Sequence, residues 1–362
     1  MNKGGAFLKK LWMILSSAAL CLALIQPAFA AGAPETSTQT GILLHADTGA
    51  VLWEKDADRK MGIASTTKIM TALVALEEGT LTDTVTIRPE WTAVEGSSMY
   101  LKPGQTYTLE ELLYGMMLSS GNDAATAVAC HIAGDEAAFA GKMNEKAKAL
   151  GLTGTSFENP HGLDGEAQYS TARDLAALTV CAMENPDFAR IVGTRSTQIR
   201  NETFVNHNKL LWRCEGVLGV KTGYTKASGR TLVSCCERGG TRYVCVTLND
   251  PEDWKDHQAL YDWAYDACSY RVVMAKAESV CLPVVSASGE KTQVYPVQDV
   301  QVLTMPGDNI EREYYLPRFV FPGIKAGEKA GYLIVRVNGE ERARVDMVYG
   351  QDLPLPGKMK SR

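Results

Sequence analysis

Ser65-Thr66-Thr67-Lys68 heads a run in which Ile69, Met70, Leu73, Val74 and Leu76 recur at helical spacing until Gly79. Apolar residues so spaced form one buried stripe of a helix, and glycine commonly terminates one. Residues three apart on a helix share a face, so the Lys68 amine can reach the Ser65 hydroxyl. A serine nucleophile served by a lysine base requires that geometry. Alone, a Ser-x-x-Lys is a weak signal that arises by chance on the order of once per few hundred residues. The chain carries a second match, Ser288-Gly289-Glu290-Lys291, in a glycine-containing stretch where no helix is expected. We read that match as accidental.

Two more short motifs follow. Thr108, with Glu110 and Glu111 behind it, predicts a helix N-terminus, and the apolar pattern carries that helix to about Leu118. A further helix is expected from about Asp123 to Ile132, ending at Gly134. Ser119-Ser120-Gly121-Asn122 is then a short connection able to project the Ser120 hydroxyl and the Asn122 carboxamide into a cleft, although the tripeptide alone would read as a plain turn. Lys221-Thr222-Gly223, followed by Tyr224, would alone read as a surface strand lysine, with Gly223 useful where a ligand backbone approaches closely.

Outward from these motifs, residues 40–45 and 51–54 flank a turn and predict a hairpin, as do residues 231–236 and 242–248. Residues 254–268 read as a helix. Beyond about Ala277 the chain turns to short extended runs, at 279–285, 293–297, 300–305, 332–337 and 343–349, broken by glycine and proline. The fold class is α+β: an antiparallel sheet flanked by helices with a helical subdomain, followed by a small all-β domain.

The length of 362 residues and 45% hydrophobic content suit about two globular domains. A net charge of -5 without a basic stripe sets nucleic-acid binding aside. Lys3, Lys9 and Lys10 precede an uncharged stretch from 11 to 25 and then Ala28-Phe29-Ala30, the pattern of a secretory signal peptide cleaved after Ala30. The stretch is shorter than the roughly 20 residues of a spanning helix. Cys21 follows Leu20 where a lipoprotein signal has a small residue, so lipidation is not expected. The domain boundaries read from sequence are 1–30 for the signal, 31–276 for the catalytic domain and 277–362 for the β domain. Eight of the nine cysteines follow the signal and mostly sit in apolar segments, where cysteine acts as a small hydrophobe; one oxidised pair is compatible, with connectivity left open. Prolines at 354 and 356 close the chain without an amphipathic C-terminal helix, which leaves peripheral association with membrane or wall.

The three motifs in this order, with Phe157-x-Asn159-Pro160-His161-Gly162-Leu163-Asp164 and Asn206-x-Asn208-x-Leu210-Leu211-Trp212, resemble the D-alanyl-D-alanine carboxypeptidases among the low-molecular-mass penicillin-binding proteins, and the sporulation-type members most nearly. The resemblance runs from about Thr40 to Cys268 and implies the β-lactamase-like transpeptidase fold. It implies an extracytoplasmic enzyme that trims D-alanine from peptidoglycan stem peptides ending in D-Ala-D-Ala and is acylated by β-lactam antibiotics. Its catalytic residues would be Ser65 as nucleophile, Lys68 as base and Ser120 as proton relay. Asn122 would orient Lys68 and the substrate amide, Lys221 would depress the Lys68 pKa, and Thr222 would bind the terminal carboxylate. Gly223 and Tyr224 complete the substrate strand, and the N-H groups of Ser65 and Tyr224 would form an oxyanion hole. No metal or organic cofactor is implied. Tyr224 stands where many members have histidine and His207 where some have arginine. The carboxylate-assisting arginine of some relatives has no obvious counterpart, Lys255 and Arg230 being the candidates.

Three other readings compete. A class A β-lactamase needs a water-activating glutamate, for which Glu158 is the candidate, but its surroundings match the carboxypeptidase stretch and Gly162 stands where asparagine would. A Ser-His-Asp hydrolase lacks Gly-x-Ser-x-Gly, and His161 then serves a loop; zinc lacks His-Glu-x-x-His. A non-catalytic binding module would not need three intact motifs.

Overall fold

The computed structural model describes residues 32–285 and 291–355, which divide into two compact units, one from Ala33 to Asp266 and one from Ala267 onward. The signal reading, Ser288 of the second Ser-x-x-Lys and residues 356–362 lie outside the described residues.

The first unit is built on a five-stranded antiparallel sheet. Its strands are β1 (Thr40–His45), β2 (Val51–Lys55), β3 (Val217–Thr225), β4 (Gly229–Arg238) and β5 (Thr241–Leu248), ordered β2-β1-β5-β4-β3. Residues 231–236 of β4 are buried without alternation, because both faces of the sheet are covered. On one face Val233, Cys235, Val244 and Val246 join the main apolar core. On the other, Ser234 meets His257 Nδ1 and the Tyr261 hydroxyl at 2.7 Å each, and Thr247 meets His257 Nε2 at 2.9 Å.

His257 and Tyr261 belong to the last of eight α-helices among the described residues: α1 (Lys68–Glu78), α2 (Leu109–Leu118), α3 (Asn122–Ala133), α4 (Glu136–Ala149), α5 (Ala172–Met183), α6 (Pro186–Gly193), α7 (Leu210–Arg213) and α8 (Asp253–Ala267). The stripe read from sequence understates α1, which is buried on every side from Lys68 to Ala75. It runs through the middle of the helical layer, touching α2 to α6. Its N-terminus differs from the expected helix starting at Ser65: a 3-10 turn, Ala64–Thr67, precedes it. It stops at Gly79, where a Cβ would lie 2.6 Å from Leu109 and 2.7 Å from Ile132. Thr108 caps α2 through a reciprocal capping box with Glu111.

The second unit has its own core, centred on Val294, Leu333, Val335 and Met347. Its five-stranded antiparallel sheet is ordered Val280–Pro283, Lys291–Pro296, Glu340–Tyr349, Lys329–Val337, Ile310–Tyr315. A separate pair joins Ser269–Met274 to Val300–Thr304. That pairing lies within the second unit, which begins at Ala267, ahead of the boundary read from composition. No helix among the described residues is long and apolar enough to cross a membrane.

Candidate active site

Ser65 sits in the 3-10 turn and Lys68 is the first residue of α1, so the helix start carries both. The turn is held in an unusual shape: Ala64 has φ +45, a conformation that costs energy in a residue with a Cβ. Two neighbours fit against it only because they are glycines. At Gly162, with φ +90, a Cβ would fall 1.9 Å from the Ala64 carbonyl oxygen. At Gly223 it would fall 2.9 Å from the Ser65 nitrogen and 3.1 Å from the Ala64 Cβ. Gly223 therefore admits the turn that carries Ser65, where the sequence had pointed to a ligand backbone.

The Lys68 side chain is fully enclosed. Its amine lies 3.0 Å from Ser65 Oγ, 2.7 Å from Asn122 Oδ1 and 2.6 Å from the His161 carbonyl oxygen. A neutral amine has two N-H groups and one lone pair. The Asn122 Oδ1 and the His161 carbonyl oxygen can only accept, so they take the two N-H groups and turn the lone pair toward the Ser65 hydroxyl. Burial, then the charge of Lys221, hold the Lys68 pKa well below the ordinary lysine value, against an opposing pull from Asp123. The amine is thus aimed at the hydroxyl, and its lowered pKa favours the neutral form that a base needs.

Ser120 occupies the connection between α2 and α3 at φ +63, a second strained residue at the site. Lys221, also enclosed, donates to Ser120 Oγ at 3.1 Å and to the Thr222 carbonyl at 2.8 Å. Burial lowers its pKa to about 7. Asn122, the first residue of α3, donates from Nδ2 to the Glu95 carbonyl at 2.6 Å, and a carboxamide nitrogen has a second N-H to offer.

Strand β3 is an edge strand, and Thr222, Gly223 and Tyr224 on it line a cleft of about 590 Å³ together with Ser65 and Ser120. A second cavity of about 410 Å³, lined by Ser65, Asn122, Gly162 and Tyr224, also borders Ser65. Tyr224 is 66% exposed and borders both cavities. Of the two cations considered for carboxylate binding, Arg230 lines the 590 Å³ cleft. Lys255 lines a neighbouring groove instead. Arg230 is aimed by buried Asp253, with contacts of 2.7, 2.9 and 3.2 Å.

Sequence reasoning missed three contributors. Two are backbone carbonyls, of Glu95 and His161, which no sequence pattern marks. The third is Asp123, buried at the start of α3, which accepts from Met99 N at 2.8 Å, Ser98 Oγ at 2.7 Å and Leu101 N at 3.0 Å and so fixes the loop across the cleft. Its place beside Asn122 was the available signal. His161 serves its loop as expected, accepting from Leu163 N at 3.2 Å, and burial lowers its pKa to about 4. Glu158 is exposed and its carboxylate accepts from Ala167 N at 3.0 Å, which ties it to its own loop.

The D-alanyl-D-alanine carboxypeptidase family model of serine peptidases matches residues 27–252. D-alanyl-D-alanine carboxypeptidase DacF of Bacillus subtilis is 31% identical over 337 residues, 88% of this chain and 86% of that protein. DacB2 of Mycobacterium tuberculosis is 38% identical over 67% of this chain and 87% of its own length. Among solved structures, penicillin-binding protein 5 of Haemophilus influenzae superposes with a TM-score of 0.70 at 26% identity, over 89% of this chain and 99% of that one. The chain belongs to the D-alanyl-D-alanine carboxypeptidase family. It is a serine peptidase of the cell wall with the penicillin-binding-protein fold.

Proposed function

We propose that the chain removes the terminal D-alanine of peptidoglycan stem peptides through an acyl-enzyme on Ser65, outside the cytoplasmic membrane, after export directed by residues 1–30. The observation that carries the assignment of roles is the enclosed Lys68 amine, whose two acceptors leave its lone pair for Ser65.

Lys68 takes the Ser65 proton as the hydroxyl attacks the carbonyl between the two D-alanines. The developing oxyanion is received by the N-H groups of Ser65 and Tyr224, where losing one donor typically costs roughly 100- to 1000-fold. Ser120, held by Lys221, passes a proton to the departing amine. Thr222 and Arg230 bind the carboxylate of the substrate, Arg230 because it alone of the two candidate cations borders the nucleophile's cleft. Water then releases the shortened peptide. Penicillin presents a carboxylate and a strained amide to the same groups and acylates Ser65.

The test is D-alanine release from diacetyl-Lys-D-Ala-D-Ala by the purified protein, with and without prior penicillin, and penicillin labelling of Ser65→Ala. Penicillin-blocked release, and no labelling of the folded variant, are the expected results. Labelling that survives in Ser65→Ala would remove Ser65 as nucleophile, and destruction of penicillin without D-alanine release would favour a β-lactamase.

A further inference from the structure

Two thiols outside the catalytic machinery meet behind the cleft wall. Cys214 is the residue that ends α7, and Cys236 lies on β4. The turn that follows Cys214 lies flat on β4 because Gly216 has φ +82 and no side chain; a Cβ there would sit 2.4 Å from the Glu237 carbonyl oxygen. Glu237 N donates to the Gly216 carbonyl at 2.8 Å, and Cys214 N donates to Leu210 at 3.0 Å, so both backbones are fixed. Both sulfurs approach one carbonyl, that of Glu215, at 3.9 Å for Cys214 and 3.3 Å for Cys236.

The surroundings distinguish the two sulfurs. Arg238 Nη2 lies 3.3 Å from Cys214 Sγ, and the same guanidinium is held by Asp262 at 2.9 Å. The neighbouring Cys236 thiol, then Arg238, lower the Cys214 pKa to about 7, whereas proximity to Cys214 and burial raise that of Cys236. Cys214 retains 7% exposure and Cys236 has none. By contrast, burial raises the pKa of Cys235, which points to the sheet's other face, and of Cys245.

We propose that Cys214 and Cys236 are a thiol pair built to close as a disulfide, with Cys214 as the attacking sulfur and Cys236 as the resolving one. The oxidant is a disulfide-bearing compound of the extracytoplasmic space. The Cys214 thiolate attacks one of its sulfurs, forming a mixed disulfide and expelling the other as a thiolate, which takes up a proton. Cys236 then loses its proton and attacks the Cys214 sulfur, expelling the second thiol. Two protein thiols and one external disulfide become one protein disulfide and two external thiols. The bridge would staple the end of α7 to β4, and with it the segment whose His207, Lys209 and Trp212 line the catalytic cleft.

The experiment incubates folded, fully reduced protein with oxidised glutathione, quenches with acid, alkylates under denaturing conditions and maps the peptides by mass. One linked pair containing Cys214 and Cys236, two hydrogens lighter than its separate peptides, is expected, with the other thiols alkylated. Alkylation of Cys214 and Cys236 to the same extent as the rest, or a bridge from either to Cys235 or Cys245, overturns the proposal. Cys236→Ser should accumulate a glutathione adduct on Cys214, and Cys214→Ser should leave Cys236 unmodified; an adduct on Cys236 in the latter overturns the assigned order. The unmutated protein should unfold at a higher temperature when oxidised than when reduced, and equal midpoints would remove the stapling role.

Discussion

Replacing Lys221 with methionine separates what this lysine gives to catalysis from what it costs the fold. Burial holds its amine at about 7 instead of 10.5, so below pH 7 the folded protein carries the buried ammonium at a cost of roughly 5 kcal/mol. Methionine has a similar reach without the charge. It forfeits the bonds to Ser120 and the Thr222 carbonyl, worth about 1 kcal/mol each. Lys221→Met should therefore be more stable than wild type by roughly 2–3 kcal/mol at pH 6. Because the folded pKa lies below the unfolded one, the wild type binds fewer protons folded than unfolded between pH 7 and 10.5, and its stability rises over that window. The variant lacks this rise, so its advantage fades as the pH climbs. Activity should move the other way. The charge of Lys221 helps depress the Lys68 pKa, so its loss should slow penicillin acylation and carry the acid limb of the rate profile to higher pH. Urea unfolding at pH 6 and 9 and acylation rates across pH measure both effects. A variant no more stable than wild type at pH 6, or an acid limb that stays in place, would refute the reasoning.

Gly223→Ala puts a methyl 2.9 Å from the Ser65 nitrogen and should slow acylation by about 100-fold through misplacement of that oxyanion donor; a wild-type rate would mean the turn yields freely. Arg230→Ala should raise KM for peptides ending in a free carboxylate more than it lowers kcat, and leave C-terminally amidated analogues unaffected, as steady-state kinetics on the two substrates would measure. Thr108→Ala removes the capping box of α2 at a cost of about 1 kcal/mol, lowering the thermal midpoint by roughly 2–4 °C without changing catalysis.

The chemistry-bearing residues were legible because each lies in a short motif whose spacing is local. Three residues of helix bring Lys68 to Ser65, and a tight connection between two helices offers Ser120 and Asn122 together. The hairpin of β4 and β5 was readable from its turn and its apolar runs. Helices α4, α5 and α6 were left as an undivided helical middle. The strand Ile310–Tyr315 also escaped, since it is half-buried or exposed throughout and its consecutive Glu311, Arg312 and Glu313 dilute the apolar signal.

By itself the sequence determined the α+β class, the order of the motifs and the closeness of Ser65 to Lys68. Only the tertiary structure decided that Lys68 and Lys221 are enclosed together, since burial is set by helices and strands distant along the chain. Only it could show that carbonyls of Glu95 and His161 aim the side chains, because every residue carries a carbonyl and none is marked for such use. The choice of Arg230 over Lys255, and the meeting of Cys214 with Cys236, likewise followed from β4 lying against the ends of α7 and α8, a juxtaposition no local spacing encodes.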